Sequence, residues 1–231
     1  MKARKALRLV ESAPVLSRSE RHKAEKLERI KSAARKLFGR KGFERTSISE
    51  IAHAADVGVG TVFLYARSKE QLLVMCFRDE VGSAIAEGFK TVPKAPLLDQ
   101  VMHVFRVMID HNLRNLELAR LFTQQLPFAS EDPRRGVKEV MDEFYHQMEV
   151  LIATAQLRGE IRRDISAAAL AHNLFALYFS FLLRWLGSMR ELEQLKPGLR
   201  EILELQLIGL RRTAYPRKQS RSDRDGRFIS R

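Results

Sequence analysis

Apolar positions recur at three- and four-residue spacing along almost the whole chain, the period of helices with one face turned to a core. Leu27, Ile30, Ala34, Leu37 and Phe38 form the first such stripe, and Lys41-Gly42 ends it. Ser47-Ile48-Ser49-Glu50 has the form of a capping box, which opens a short second helix bearing Ile51, Ala52 and Ala55. Asp56-Val57-Gly58 reads as a turn, and a third short helix is expected from about Val59 to Ala66. Ser68-Lys69-Glu70-Gln71 is a second capping box, starting a long fourth helix through Leu72, Leu73 and Phe77 toward Phe89. Beyond Pro93 and Pro96, helical stretches are expected at about 97–113, 116–126, 135–158, 166–188 and 197–212. The expected breaks between them are Pro127, Pro133, Gly159, Asp164 as a cap, and Pro197-Gly198. No alternating apolar run bounded by turns reads as a strand. The pattern predicts an all-α chain of about nine helices.

Three short helices with a tight turn between the second and third make a helix-turn-helix unit. Such a unit sets the N-terminal residues of its last helix in the DNA major groove, with the preceding helix against the backbone. Ala52, Ala54 and Ala55 are small enough for two helices to cross closely, and Gly58 gives the third helix a flexible start. Val62 and Ala66, four apart, face inward, which turns Val59, Thr61, Phe63 and Tyr65 outward. The same periodicity occurs in helical domains that touch no nucleic acid, so the charge distribution matters. The chain carries +13 overall. Residues 21–75 hold 12 Lys and Arg against 6 Asp and Glu, residues 1–20 hold 5 against 2, and residues 211–231 hold 8 against 2. The middle, residues 76–210, is slightly acidic, with 16 against 18. A basic module beside a near-neutral one points to a polyanion as the partner of the first.

Composition narrows the class further. The 231 residues suit one or two domains, and the single cysteine, Cys76, cannot form an internal disulfide, which fits a reducing, cytoplasmic setting. The longest apolar candidate for a membrane span, Ala167 to Leu183, is interrupted by His172 and Asn173, so no membrane partner is expected. There is no nucleophile elbow, phosphate loop or metal-spaced His and Glu run, and the chain reads as no enzyme with no cofactor. His103, His111 and His146 lack a Cys or close carboxylate that would make them a metal site.

From Ala24 to Leu73, above all in LFGRKGFERTSISEIAHAADVGVGTVFLYARSKEQLL, the sequence resembles the TetR (tetracycline-repressor-like) family of transcription regulators. The matches are Phe38, Gly42-Phe43, Thr46-Ser47-Ile48, Ile51-Ala52, Ala55, Val57, Gly60-Thr61-Val62, Tyr65 and Ser68-Lys69-Glu70-Gln71-Leu72-Leu73. Four positions depart from the family pattern: Asp56 for a turn Gly, Gly58 for a capping Ser, Phe63 for a Tyr whose hydroxyl reaches phosphate, and Ala66 for Phe. The resemblance implies an N-terminal three-helix DNA-binding domain and a C-terminal helical ligand-binding and dimerisation bundle. It implies a homodimer on a double-stranded operator, a repressor released from a palindromic site by a small hydrophobic or amphipathic effector. The candidate DNA-binding residues it carries over are Thr46, Ser47, Ser49, Val59, Gly60, Thr61, Phe63, Leu64, Tyr65 and Lys69, with Thr46 and Thr61 as hydroxyl contacts to phosphate and Lys69 as a charged one. An alternative keeps the fold but makes the basic ends a nonspecific DNA or membrane tether, as in a nucleoid or division adaptor.

The expected domains are a basic arm at 1–20, the helix-turn-helix module at 21–75, the sensing and dimerisation module at 76–212 and a basic disordered tail at 213–231. Residues 170–187 are apolar around most of a helical circumference and must be buried on more than one side. The last helix has Leu199, Ile202, Leu203, Leu207 and Leu210 on one side and Leu205 and Ile208 on another. Two such helices suit a core on one side and a subunit contact on the other, with Leu182, Trp185, Leu199, Ile202, Leu203, Leu207 and Leu210 as the candidate interface. Phe105, Met108, Met141, Phe144, Tyr145, Met148, Phe175, Tyr178 and Phe179 are the candidate effector pocket.

Overall fold

Capping signals set the starts of the helices. In the computed structural model, which describes residues 17–126, 131–187 and 192–210, the order is α1 (Arg18–Lys41), α2 (Ile48–Ala54), α3 (Val59–Tyr65), α4 (Lys69–Lys90), α5 (Leu97–Arg114), α6 (Leu116–Gln125), α7 (Glu131–Leu157), α8 (Ala167–Leu186) and α9 (Leu192–Ile208). No strand occurs among the described residues. The expected break at Pro127 and the tail at 213–231 lie outside them, as does most of the arm; its residues Ser17 to Glu20 already form the capped start of α1. There the Ser17 amide donates to Glu20 Oε2 at 2.7 Å and the Glu20 amide to Ser17 Oγ at 3.2 Å. The Ser47/Glu50 box opens α2 as expected. At α4 only half the expected box forms. Ser68 accepts from the Gln71 amide, but the Gln71 side chain accepts from Arg67 N, one residue before the cap.

Three expected boundaries move for physical reasons. Pro133 does not break the chain; it sits in the first turn of α7, where its missing amide hydrogen had no intrahelical acceptor to lose. Pro197 lies inside α9 and costs a ladder bond there. The compensation is burial, because Leu195, Leu199, Leu203 and Leu207, each four apart, are all covered. Each such side chain contributes about 1.5–3 kcal/mol on burial. Asp164 does not cap α8. It pairs with Arg162, and Ser166 caps the helix by accepting from the Ala169 amide. Gly159 ends α7 as expected, with a positive φ of 78°.

The first module packs α1 on α2 and α4, and α2 on α3, around Ile30, Ala34, Leu37, Phe38, Phe43, Ile51, Ala52, Val62 and Ala66. The α4 helix runs unbroken through residues 75 and 76, so its second half enters the other module, packed on α5, α6 and α7. There α7 packs on α8 and α8 on α9. A stack of rings makes the centre. Phe105 lies face to face with Tyr178 at 4.5 Å, and Phe144 sits among Phe89, Phe105 and Phe175. Long side chains tie the ends together. Glu160 in the α7–α8 turn accepts from the Leu97 amide at 2.7 Å, supplying the cap that Pro96 cannot give α5.

The α8 helix is long and apolar enough, by length and composition, to cross a bilayer, the one such helix among the described residues. His172 and Asn173 do not lower its apolar character enough to prevent that. Its Leu170, Leu174, Tyr178, Phe181, Leu182, Trp185 and Leu186 are buried in the core.

Candidate nucleic-acid interface and central cavity

The turn between α2 and α3 depends on one residue in an unusual conformation. Asp56 has φ 54°, in the left-handed region that glycine occupies more readily than any side-chain-bearing residue. Its carboxylate is 97% exposed and reaches Arg29 at only 3.4 Å, an exposed pair that adds little. Asp56→Gly is therefore expected to stabilise the module by about 0.5 kcal/mol, the relief of backbone strain outweighing the added freedom of the unfolded chain. A urea midpoint unchanged or lowered in the variant would contradict this.

The Gly58 N-cap of α3 makes no side-chain cap hydrogen bond, and the Thr61 and Val62 amides donate to its carbonyl. Val62 is fully buried against the module core and Ala66 nearly so. Opposite them, Val59, Gly60, Phe63 and Leu64 stand in solvent, Leu64 at 83% exposure. Ser47 and Ser49, at the start of α2, are also exposed, and Thr61 is half-buried. A small apolar surface at the head of a short helix, on a basic module, is one that can meet thymine methyls and sugar edges rather than base hydrogen-bond donors and acceptors.

Three of the expected contact residues are placed differently. Thr46 is buried and its hydroxyl donates to the Gly42 carbonyl at 2.8 Å, so it is not presented to a phosphate. Tyr65 is half-buried, and its hydroxyl donates to the Lys23 carbonyl at 3.2 Å, tying α3 to α1. The Lys69 ammonium donates to the carbonyls of Phe43 (2.9 Å) and Glu44 (3.3 Å) and lies 4.3 Å from the centre of the Phe43 ring. Lys69 thus holds the α1–α2 loop. Lys69→Ala is expected to cost about 1–2 kcal/mol of stability from the lost carbonyl and ring contacts. It should also weaken operator and random DNA alike and lower the slope of log affinity against log salt by about one per subunit. Thermal melts and DNA titrations at two salt concentrations measure both. An unchanged melt would remove the fastening role.

At the base of α2, Glu50 accepts from the Ser47 amide and hydroxyl and pairs with Lys41. The Lys41 ammonium first, and then Ser47, hold its carboxyl well below the usual range, at about 2.

In the second module a cavity of about 210 Å³ lies among α4, α5, α6, α7 and α8. Of the nine expected pocket residues, Met108, Met141, Tyr145, Phe175, Tyr178 and Phe179 line it. Phe105, Phe144 and Met148 do not; they are the fully buried core behind the wall. The sequence reading missed the part of the wall supplied by α4 and α6, namely Phe77, Arg78, Val81, Ala84 and Phe122. The helical spacing of Phe77, Val81 and Ala84 carried the signal, in a helix that begins in the first module and continues into the second. The buried Tyr178 hydroxyl, paired with Asn112, has its pKa pushed up by burial.

The expected interface also divides. Leu182, Trp185, Leu199, Leu203 and Leu207 are buried within the chain's own core, and Ile202 and Leu210 are half-buried. The uncovered apolar residues in this region are Leu183 on α8 and Leu205 and Ile208 on α9.

Residues 30–76 match the family model described as "Bacterial regulatory proteins, tetR family". The chain is 21% identical over 196 residues to the fatty acid metabolism regulator protein of Bacillus subtilis, covering 82% of this chain and 98% of that one. Among solved structures it resembles Thermus thermophilus FadR, a TetR-family transcriptional repressor in complex with lauroyl-CoA. That likeness has a TM-score of 0.58 at 28% identity over 79% of this chain and 93% of that one. It also shares its fold with the transcriptional regulator FadR of Bacillus subtilis in complex with stearoyl-CoA, with a TM-score of 0.63 at 20% identity over 79% and 98%.

Proposed function

We propose, from the premise that this chain belongs through residues 30–76 to the tetR family of bacterial regulatory proteins, that it is a homodimeric repressor released from its operator by a long-chain acyl-CoA. The observation that carries the DNA-binding half is the uncovered face of α3. Val59, Phe63 and Leu64 are exposed to solvent although nothing in the chain requires them there, on a module of positive net charge, with 12 Lys and Arg against 6 Asp and Glu over residues 21–75. With α3 in the major groove, Val59, Gly60 and Leu64 meet base edges and Phe63 packs on sugar or a thymine methyl. Ser47, Ser49, Thr61 and Lys69 lie toward the phosphates. A reading surface so poor in hydrogen-bonding groups puts much of the selectivity into DNA shape.

The effector half rests on the apolar cavity together with the acyl-CoA ligands of the two FadR proteins. An acyl chain suits a cavity walled by Met108, Met141, Val81, Val140 and Phe179. Dimerisation is assigned to α8 and α9 through Leu183, Leu205 and Ile208, the face left over after Leu199, Leu203 and Leu207 have entered the core. The setting is the cytoplasm, where both DNA and acyl-CoA are found.

Selection of bound duplexes from a random pool tests the reading. A palindrome with half-sites about one helical turn apart is expected, bound less tightly when lauroyl-CoA is added. Binding of all sequences alike, abolished by removing the basic ends, would favour a nonspecific tether instead.

A further inference from the structure

Arg78 touches both halves of the molecule. It is the only Arg, Lys, Asp or Glu among the described residues of the cavity wall. Its guanidinium lies so close to Gly136, in the second turn of α7, that a Cβ at that position would overlap it. A glycine inside a helix is unfavourable in itself, and here it makes the seat for the guanidinium. Arg78 Nε and Nη2 both donate to Asp79 Oδ1, at 2.9 and 2.5 Å, which leaves Nη1 on the α7 side. The other oxygen of the same carboxylate, Asp79 Oδ2, accepts from Lys31 Nζ of α1 at 2.6 Å. Lys31 is 5% exposed and also pairs with Glu28. Burial alone would depress the Lys31 pKa, but hydrogen bonds to Asp79 and Glu28 overcome that and hold it above the ordinary lysine range. One carboxylate therefore joins a cation of the cavity wall to a buried cation of the DNA-reading module.

We infer that Arg78 binds the carbonyl end of the effector, and that drawing its guanidinium away from Asp79 links the filled cavity to the seat of α1 on α4. The assignment rests on the acyl-chain reading of the cavity. A thioester or carboxyl oxygen entering an apolar cavity must find a donor or lose its hydration uncompensated. The other wall donors are engaged or weaker. The Thr123 hydroxyl donates to the Ala119 carbonyl, Asn112 is held by Tyr178, and His111 lies beside Glu80. The arginine fork is the strongest donor on the wall for a planar oxygen group. Once it turns to the ligand, Asp79 keeps only Lys31, and the carboxylate moves with it. The α3 helix follows α1 through the Tyr65 contact to the Lys23 carbonyl, so the shift reaches the reading surface.

Coupling of this kind is reciprocal, and the two partners of the guanidinium must respond in opposite directions. The experiment measures lauroyl-CoA affinity and ligand-free operator affinity in the wild-type chain and in Arg78→Ala, Gly136→Ala and Asp79→Asn. Arg78→Ala takes the guanidinium from Asp79 as the bound effector does, so it is expected to weaken lauroyl-CoA about 10- to 100-fold and ligand-free operator binding about 3- to 10-fold. Gly136→Ala keeps a good helix former in α7 and displaces the guanidinium without deleting it, so it should weaken lauroyl-CoA in the same direction and stay folded. Asp79→Asn frees Arg78 for the ligand and loosens Lys31; lauroyl-CoA should bind more tightly and the operator about tenfold less tightly. A merely structural role would lower both affinities together in all three variants, and that result overturns the assignment. So does lauroyl-CoA binding that is unchanged in Arg78→Ala and Gly136→Ala. If the wild-type chain takes up no acyl-CoA, the reading of the cavity fails and this assignment with it.

Discussion

Leu203→Asp is expected to unfold the C-terminal bundle, whereas Leu205→Asp together with Ile208→Asp is expected to leave a folded monomer. The two sites lie within two turns of one helix, and burial separates them. Leu203 is fully covered by the chain's own core, in line with Leu195, Leu199 and Leu207. A carboxylate there removes a buried leucine and places an unpaired charge among apolar groups, a combined cost on the order of 5 kcal/mol or more. Whole-domain stability is only about 5–15 kcal/mol, so most of the margin goes. Leu205 and Ile208 are 64% and 48% exposed in the single chain, and charge there meets water until a second copy covers it. Circular dichroism melts and sedimentation of both variants provide the measurement. A Leu205→Asp/Ile208→Asp chain that still sediments as a tight dimer would place the subunit contact elsewhere, and a well-folded Leu203→Asp chain would mean the α9 packing is wrong.

Leu64→Glu is expected to abolish operator binding while leaving the melt unchanged. At 83% exposure Leu64 contributes almost nothing to the core, so its replacement is invisible to folding. Against DNA the new carboxylate faces phosphates at close range in each subunit, and like-charge juxtaposition of this kind costs several kcal/mol, a loss on the order of 100-fold or more. Phe63→Tyr provides the opposite sign. It adds a hydroxyl at an exposed site on the same face, and a new hydrogen bond to phosphate should raise affinity by about 3- to 10-fold. Titration of both variants on the selected operator decides. Unchanged binding by Leu64→Glu would remove α3 from the interface.

The parts of this architecture that could be read from the sequence are those governed by local chemistry. The Ser47/Glu50 box, the turn at Asp56, the inward pair Val62 and Ala66 and the glycine that ends α7 all depend on residues within one or two turns of each other. What could not be read depends on distant partners. Periodicity shows that α9 has two apolar faces, but which one enters the core is decided by α5 and α8, and Leu199, Leu203 and Leu207 of the expected interface are the ones that enter it. The Thr46 and Tyr65 hydroxyls looked free because their acceptors are backbone carbonyls, which no side-chain pattern reveals. The local rule makes Pro197 a break between helices, and four leucines of nonlocal burial outweigh it. The cavity was half-found for the same reason. Its α5, α7 and α8 residues are aromatic and Met-rich, whereas α4 contributes Arg78 and Ala84, which look like ordinary surface and spacer positions in sequence.

The single cysteine gives the molecule a built-in reporter. Cys76 Sγ lies 3.6 Å from the Lys31 carbonyl, across the seam between α1 and α4, and burial raises its pKa to about 12. A thiol so placed is neither exposed nor ionised while the seam is shut, and alkylation proceeds through the thiolate. Its modification therefore clocks how often α1 lifts from α4, with no dye, tag or mutation added. Opening at this seam spans a range of free energies up to that of global unfolding. The labelling rate of the unaltered chain, taken with and without operator and with and without effector, reads out the opening of the α1–α4 seam in the same units for each condition.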